Sequence, residues 1–357
     1  MNAKLVEDIA NAVLYEGYML YPYRPSSVKN RQRWNFGVVY PKPYSETQSG
    51  ADNWFMQTEC LATGGASAEL SVKVRFLQAV ARTIGQPKHP IHEWPDDAGA
   101  ALDANFQVVD KLQVGGQTFQ TWQEAIEREI VLPPFRVNGE GCETRSALVV
   151  FSGGRESEPV RSADGRVAGL ILRTKKALSA QVDVTAMRVD EGLFKISVRL
   201  SNVTTTDPSS TSRGEALMQS LLSAHTILGI EGGRFISVFD PPPSVKNIVA
   251  SCNNVGTWPV LAGDESRSDM VLSSPIILYD YPQIAPESPG DLFDGAEIDE
   301  ILSLRIMTLT DEEKREMRES DDRARKILER TETLPEEQLM KLHGALRGLR
   351  AVKSEAP

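Results

Sequence analysis

The densest group of metal-ligand side chains in the chain is His89, His92 and Glu93, within the segment PKHPIHEWP. Imidazole and carboxylate groups at this spacing are ligands for zinc or iron, so a metal-dependent enzyme is one interpretation. Pro90 stands between the two histidines and disfavours the helix that would place both rings on one face. The spacing therefore favours an exposed, proline-bounded loop, and a metal site is the alternative.

The other reactive residue types lack the partners that familiar chemistries require. The cysteines Cys60, Cys142 and Cys252 are odd in number and have no CxxC spacing, which indicates buried structural thiols rather than a disulfide framework or a metal cluster. There is no G-x-S-x-G elbow to present a serine and no glycine loop for nucleotide phosphates. His225 lies on an apolar stripe, which is typical of a core residue. We therefore predict no catalytic residues, no metal-binding residues and no cofactor.

A run of carboxylates forms the third group, in a proline-rich segment that we call the strap, residues 274–310. Asp294, Glu297 and Glu300 follow one another at intervals of three, so on a helix they drift around the axis rather than converge. This spacing favours a solvated, acidic helix start over a metal site.

Aromatic and basic residues are concentrated between Tyr15 and Tyr40. Such a mixture suits single-stranded nucleic acid or a phosphorylated ligand, and it equally suits the core of a protein interface. A third interpretation is a loop that its own aromatic side chains anchor to the body. We predict a protein-partner surface with these residues: Tyr18, Tyr21, Tyr23, Arg24, Arg31, Arg33 and Trp34.

Composition limits the class of protein. The 357 residues carry a formal net charge of −10 and a pI near 5.1, which argues against binding to nucleic acid or to an anionic membrane surface. No apolar run approaches the length of about 20 residues that a membrane helix needs. The N-terminal residues are interrupted by Glu7, Asp8 and Glu16, unlike the apolar core of a signal peptide. We expect a cytoplasmic protein without a membrane span.

The elements that must position these groups are predominantly β-strands. Residues 167–204 alternate between apolar and polar and contain an Asp190–Gly192 turn, which predicts an antiparallel hairpin with one buried face. Gly64–Gly65 is predicted to turn between two strands, and residues 118–132 are predicted as a strand followed by a helical turn. Ser212 and Glu215 form a capping box for a helix that reaches His225.

We predict an α+β fold with an antiparallel, sandwich-like β-rich body and a C-terminal helical segment. The predicted divisions are an N-terminal helix with the aromatic and basic segment (1–45), the body (46–273), the strap (274–310) and a helical hairpin (311–357). A second capping box, Thr310 to Glu313, opens this hairpin, and a third helix is expected after Leu334.

Three segments resemble a known group of proteins: SPIILYDYPQIAPESPGDLFDGAEIDEILSLRIMTLTDEEK, LPEEQLMKLHGALRGL and LYEGYMLYPYRPSSVKNRQRWNFGVVYP. The chain resembles uncharacterised proteins encoded with actinobacterial-type, high-affinity nickel–iron uptake hydrogenases. This resemblance implies an accessory or assembly role in the cytoplasm and brings no catalytic residues. A redox subunit of such an enzyme would have CxxC pairs or many cysteines, which this chain does not have.

The expected function is therefore that of a non-enzymatic accessory protein that contacts hydrogenase subunits or maturation factors. Two alternatives remain at this point. One is a metal-dependent enzyme that uses His89, His92 and Glu93, and the other is a β-sandwich module that binds a small ligand.

Overall fold

The longest element, β1, is a strand of 33 residues from Phe55 to Pro87 on which the rest of the sheet is built. The structure is a computed structural model that describes residues 3–14, 36–48, 50, 52–89, 91, 105–137, 141–283, 306–320 and 322–335. Alternate side chains of β1, including Leu70, Val72, Val74 and Phe76, are buried in the main hydrophobic core. The period of two that is visible in the sequence therefore places one face of β1 inward.

Within the described ranges, twelve further strands follow, and the helices are short. The strands are β2 (Phe106–Val109), β3 (Lys111–Val114), β4 (Gln117–Gln120), β5 (Trp122–Arg136), β6 (Cys142–Phe151), β7 (Gly154–Arg161), β8 (Val167–Lys175), β9 (Leu178–Asp190), β10 (Leu193–Asn202), β11 (Leu222–Ile236), β12 (Trp258–Ala262) and β13 (Met270–Ser274). The helices are α1 (Ala3–Leu14), α2 (Lys42–Thr47), α3 (Arg213–Leu217), α4 (Lys246–Ala250), α5 (Asp311–Ser320) and α6 (Asp322–Glu332).

The two edges of β1 change partners along its length. One edge pairs in turn with β10, β5 and β2, and the opposite edge pairs with β11 and then β8. All of these pairings are antiparallel, and the sheet curls into a half-barrel around the main core. The predicted fold class, an antiparallel β-rich body with C-terminal helices, is confirmed.

Strands β6 and β7 form one bent ribbon with β9 and β8. Phe151 pairs with Leu178 at the end of β6, and Gly154 pairs with Lys175 at the start of β7, so the ribbon bends at residues 152–153. A Cβ atom on Gly153 would lie 2.9 Å from the backbone nitrogen of Ala177, so only glycine fits at this bend. The ribbon thereby connects β8, which pairs with the C-terminal part of β1, to β9 and β10, the latter pairing with the N-terminal part of β1.

The turn predicted at Gly64–Gly65 is wrong. β1 continues through both glycines, and its pairing with β11 shifts from Gly64↔Gly233 to Glu69↔Glu231. Residues 65–68 thus oppose a single residue, Gly232, in a large bulge that bends the strand. The hairpin between β9 and β10 is confirmed, with Gly192 at φ +64° in its turn.

The helical turn predicted within residues 118–132 and the end of the helix predicted from Ser212 to His225 are strands. Residues 118–132 fall in β4 and β5, because residues 123–132 pair with β1 where a helical turn was expected. The capping box of Ser212 and Glu215 is confirmed, but α3 ends at Leu217, and Leu222 and His225 belong to β11. Burial on both faces of β11 made its sequence resemble a helix.

Helix α1 covers the outer face of the β11–β13–β12 region. Its buried residues Val6, Ile9 and Val13 pack on Ile227 and Leu272, and Lys73 on β1 forms an ion pair with Glu7 at 2.6 Å. The helix predicted near the N-terminus is therefore confirmed, and its apolar stripe is satisfied within the chain.

The two helices of the C-terminal hairpin meet earlier in the chain than predicted, since α5 ends at Ser320 and α6 begins at Asp322. Lys314 on α5 lies 3.4 Å from Glu332 on α6, and Arg318 contacts the same carboxylate, so α6 folds back on α5. The capping box of Thr310 and Glu313 is confirmed. The third helix, predicted after Leu334, falls mainly on residues 336–357, outside those described. Among the described residues, no helix is both long and apolar enough to cross a membrane.

Candidate protein-binding surface

Most of the residues predicted for a site lie outside the part of the chain that the structure describes. This applies to the partner-binding set (Tyr18, Tyr21, Tyr23, Arg24, Arg31, Arg33 and Trp34), to His92 and Glu93, and to the strap carboxylates from Asp291 to Glu300. His89 is described and is exposed. Within the described ranges, no three His, Cys, Asp or Glu side chains are arranged to hold a metal ion.

The three cysteines lie in different environments. Cys60 is buried in the main core, Cys252 is half-buried, and Cys142 is exposed at the start of β6. Burial raises the pKa of both Cys60 and Cys252. The prediction of buried thiols is therefore confirmed for Cys60 and wrong for Cys142, because Cys142 points to the solvent side of an edge strand.

His225 is fully buried, as the sequence indicated, although it lies on a strand. Its Nδ1 atom is 2.7 Å from the carbonyl oxygen of Ser223, and its Nε2 atom is 3.2 Å from Oγ of Ser274. Burial lowers the pKa of His225 from 6.5 to about 4, and the nearby Arg75 adds to this effect. A neutral ring therefore donates from Nδ1 and accepts at Nε2, which is a satisfied structural role.

The most unusual surface feature is the outer edge of β6. Among the residues that the structure describes, β6 pairs only with β9. Its second half, Ser146 to Phe151, has the sequence SALVVF without charge or proline. Leu148 and Val150 remain 64% and 63% exposed on the outer face, opposite the polar residues Gln181 and Ser179 of β9. An edge of this kind is open to pairing with another strand.

β6 is also held rigidly from behind. Ala147, Val149 and Phe151 pack against the main core, and the ring of Phe151 lies 5.4 Å from that of Phe76, edge to face. The guanidinium of Arg145 lies 5.1 Å from the ring of Phe135 on β5, and that of Arg128 on β5 lies 5.3 Å from the ring of Phe151. The edge is therefore presented in a fixed extended form, which lowers the entropic cost of adding a strand.

Other edges of the same sheet carry the protection that β6 lacks. β7, which continues the same ribbon, has the sequence GRESEPVR with four charges and Pro159. β5 includes Pro133 and Pro134 and several glutamates. The edge of β12 is covered, since the Tyr281 backbone N–H donates to the carbonyl of Leu261 at 2.7 Å and the Leu261 N–H donates to Asp280 at 2.8 Å. Charge, proline and coverage are the usual ways to block edge pairing.

A second exposed apolar feature lies where the strap leaves the sheet. The rings of Phe239 and Tyr279 are 6.3 Å apart and are 51% and 82% exposed. Ser237 and Asp280 hydrogen-bond to each other and fix the backbone beside this pair. β13 ends at Ser274, just before Pro275, so the apolar run 275–279 at the start of the strap lies outside the ladder.

Sequence reasoning missed the β6 edge, although one signal was present. The uncharged run SALVVF is followed after three residues by the charged run RESEPVR, and this contrast marks one strand that lacks charged protection beside a second strand that has it. The pattern alone does not show which strand lies at an edge, so the topology was needed. Comparison of the chain with protein-family models, curated proteins and solved structures gave no match.

Proposed function

We propose that this protein is a non-enzymatic accessory component that binds a protein partner by strand addition at the β6 edge. The observation that supports the proposal is the uncharged run from Ser146 to Phe151 on an edge strand with exposed aliphatic side chains. Main-chain hydrogen bonds would supply affinity, and alternate side chains would supply specificity. The partner segment is an extended, apolar stretch, since β6 offers no charge there.

The partner that we propose is a subunit or maturation factor of a nickel–iron uptake hydrogenase. Support for this part comes from the resemblance of the strap and the two terminal segments, and the β6 edge supports protein binding in general. The two parts are independent, so an experiment can separate them.

The test is capture of partners from the native host by tagged wild-type chain and by the variant Leu148→Lys. Leu148 is exposed, so its replacement leaves the core intact, and a lysine on an edge opposes the approach of a second strand. We expect a hydrogenase component with the wild-type chain and at least about a tenfold loss with the variant, equivalent to about 1.4 kcal/mol.

Val108→Lys is the matched control, because Val108 is 55% exposed on β2, a strand that pairs with β1 and not with the ribbon of β6 and β9. This variant should capture the partner as the wild-type chain does, and the melting temperatures of all three proteins should agree. Equal capture by Leu148→Lys and wild type would contradict strand addition at β6. Capture of a different protein in a β6-dependent manner would contradict only the hydrogenase assignment.

A further inference from the structure

A cavity of about 570 Å³ opens beside the bulge that bends β1. Its walls come from β1 at Gly64, from β11 at Gly233 and Arg234, and from the β12–β13 connection at Arg267 and Asp269. This volume lies in the range of small-molecule sites. The cavity is separate from the β6 edge, so what it binds goes beyond the protein contact proposed above.

The glycines on its wall are required by the backbone. A Cβ atom on Gly233 would lie 2.4 Å from the carbonyl oxygen of Thr63, and one on Gly64 would lie 2.6 Å from the Cβ atom of Ala68. Side chains are therefore excluded at both positions where β1 and β11 lie close together, and backbone forms this part of the wall.

The charged side chains of the cavity include a fixed arginine. Nε of Arg267 lies 3.0 Å from Oδ2 of Asp269, whose side chain is only 6% exposed. The backbone of Asp269 is itself held, because the Ile230 N–H donates to its carbonyl oxygen at 2.9 Å. A guanidinium that is engaged through Nε still has its end-on edge with two terminal amino groups, and that edge fits a carboxylate.

Two exposed side chains of opposite sign complete the lining. Arg234 and Glu231 belong to the same strand, β11, and both line the cavity. The lining thus offers two guanidinium groups for an anionic group and an acidic rim for a hydrogen-bond donor. Asp269 offsets one of the two positive charges, so the lining matches a ligand that combines an anion with a donor group.

We propose that this cavity binds a small organic acid that carries a hydroxyl or amino group beside its carboxylate. Arg267 and Arg234 hold the carboxylate, and Glu231 accepts a hydrogen bond from the hydroxyl or amino group. Asp269 acts as a positioning residue, since it fixes the guanidinium of Arg267.

Isothermal titration of the full chain with L-malate, L-aspartate and succinate tests this proposal. We expect L-malate or L-aspartate to bind and succinate, which has no donor group, to bind at least about tenfold more weakly. Arg267→Gln and Arg234→Gln should each weaken the binding of the same acid by about tenfold or more. Both arginines are exposed, so these variants should fold.

Arg166→Gln is the matched control, because Arg166 is an exposed arginine that pairs with an aspartate two residues away, Asp164, at 3.2 Å. It should bind the acid as the wild-type chain does. Failure of both L-malate and L-aspartate to bind would overturn the proposal. Unchanged binding by Arg267→Gln and Arg234→Gln would overturn the location, and equal binding of succinate would overturn the role of Glu231.

Discussion

Acid should destabilise this fold through His225. The pKa of the ring falls from 6.5 to about 4 on folding, chiefly because burial disfavours its charged form. Below pH 6.5 the unfolded chain therefore takes up a proton that the folded chain does not, and stability falls as the pH falls. Each pKa unit corresponds to about 1.4 kcal/mol, so the loss is about 2 kcal/mol by pH 5 and about 3 kcal/mol by pH 4.

Urea unfolding of the wild-type chain and of His225→Gln at pH 7.5 and pH 5.0 measures this contribution. Carboxylates and other groups affect both proteins alike, so the difference between the two pH-dependent losses isolates His225. We expect the wild-type chain to lose about 2 kcal/mol more than the variant between the two pH values. Glutamine retains neutral donor and acceptor groups for Ser223 and Ser274.

His89→Gln is the control, because His89 is exposed on the same chain. Its loss of stability between the two pH values should equal that of the wild-type chain. Parallel losses for the wild-type chain and His225→Gln would refute the reasoning, since they would mean that the ring titrates alike in the folded and unfolded states.

Two further predictions concern thiols and the bend of the ribbon. With a disulfide reagent at pH 8, Cys142 should react first and Cys60 only after denaturation, because Cys142 is exposed while burial raises the pKa of Cys60. Mass spectrometry of the labelled peptides gives the order of labelling. Early labelling of Cys60 would contradict its buried position. Gly153→Ala should lower the free energy of unfolding by about 2 kcal/mol, because its Cβ atom would approach the Ala177 nitrogen to 2.9 Å. Gly154→Ala, whose added Cβ atom would lie nearest to the flexible Lys175 side chain at 3.4 Å, should change the free energy of unfolding by less than about 1 kcal/mol. Equal effects of the two substitutions in urea unfolding would show that the bend tolerates a side chain at Gly153.

The fold class followed from local patterns, whereas the topology did not. The period of two in β9 and β10 and the Asp190–Gly192 turn correctly predicted a hairpin, because both strands and their turn are contiguous in sequence. Gly64–Gly65 looked like a second hairpin turn, yet the same residue type also permits a bulge inside one strand. Only the partners of β1, which are distant in sequence, decide between the two.

The sequence predicted a helix in place of β11, because burial on both faces removed the alternation of apolar and polar residues that marks a strand. β11 is buried at nine successive positions from Leu222 to Ile230, since it is covered on one face by the core and on the other partly by α1. Residues 222–230 therefore lack the strand period of two, and after a genuine capping box at Ser212 they resembled the continuation of one helix. Backbone pairing with β1, far away in sequence, and with β13 is what makes this run a strand.

The candidate surfaces depended still more on topology. The residues of β6 looked like an ordinary strand, and their exposure became visible only when β6 proved to be paired on one side by β9. The cavity likewise combines residues from three separate segments, at positions 63–64, 230–234 and 267–269. Because no local pattern joins these segments, sequence reasoning alone could not have proposed the site.

The central claim is that a partner strand pairs with the β6 edge, and amide hydrogen exchange tests it most directly. The measurement follows the amides of Ser146 to Phe151 in the wild-type chain, alone and with the protein that it captures. We predict slower exchange of the edge-facing amides in this segment in the complex, while Val108 and its neighbours on β2 keep their rates. Unchanged exchange at Ser146 to Phe151 in a complex that has formed would contradict the account.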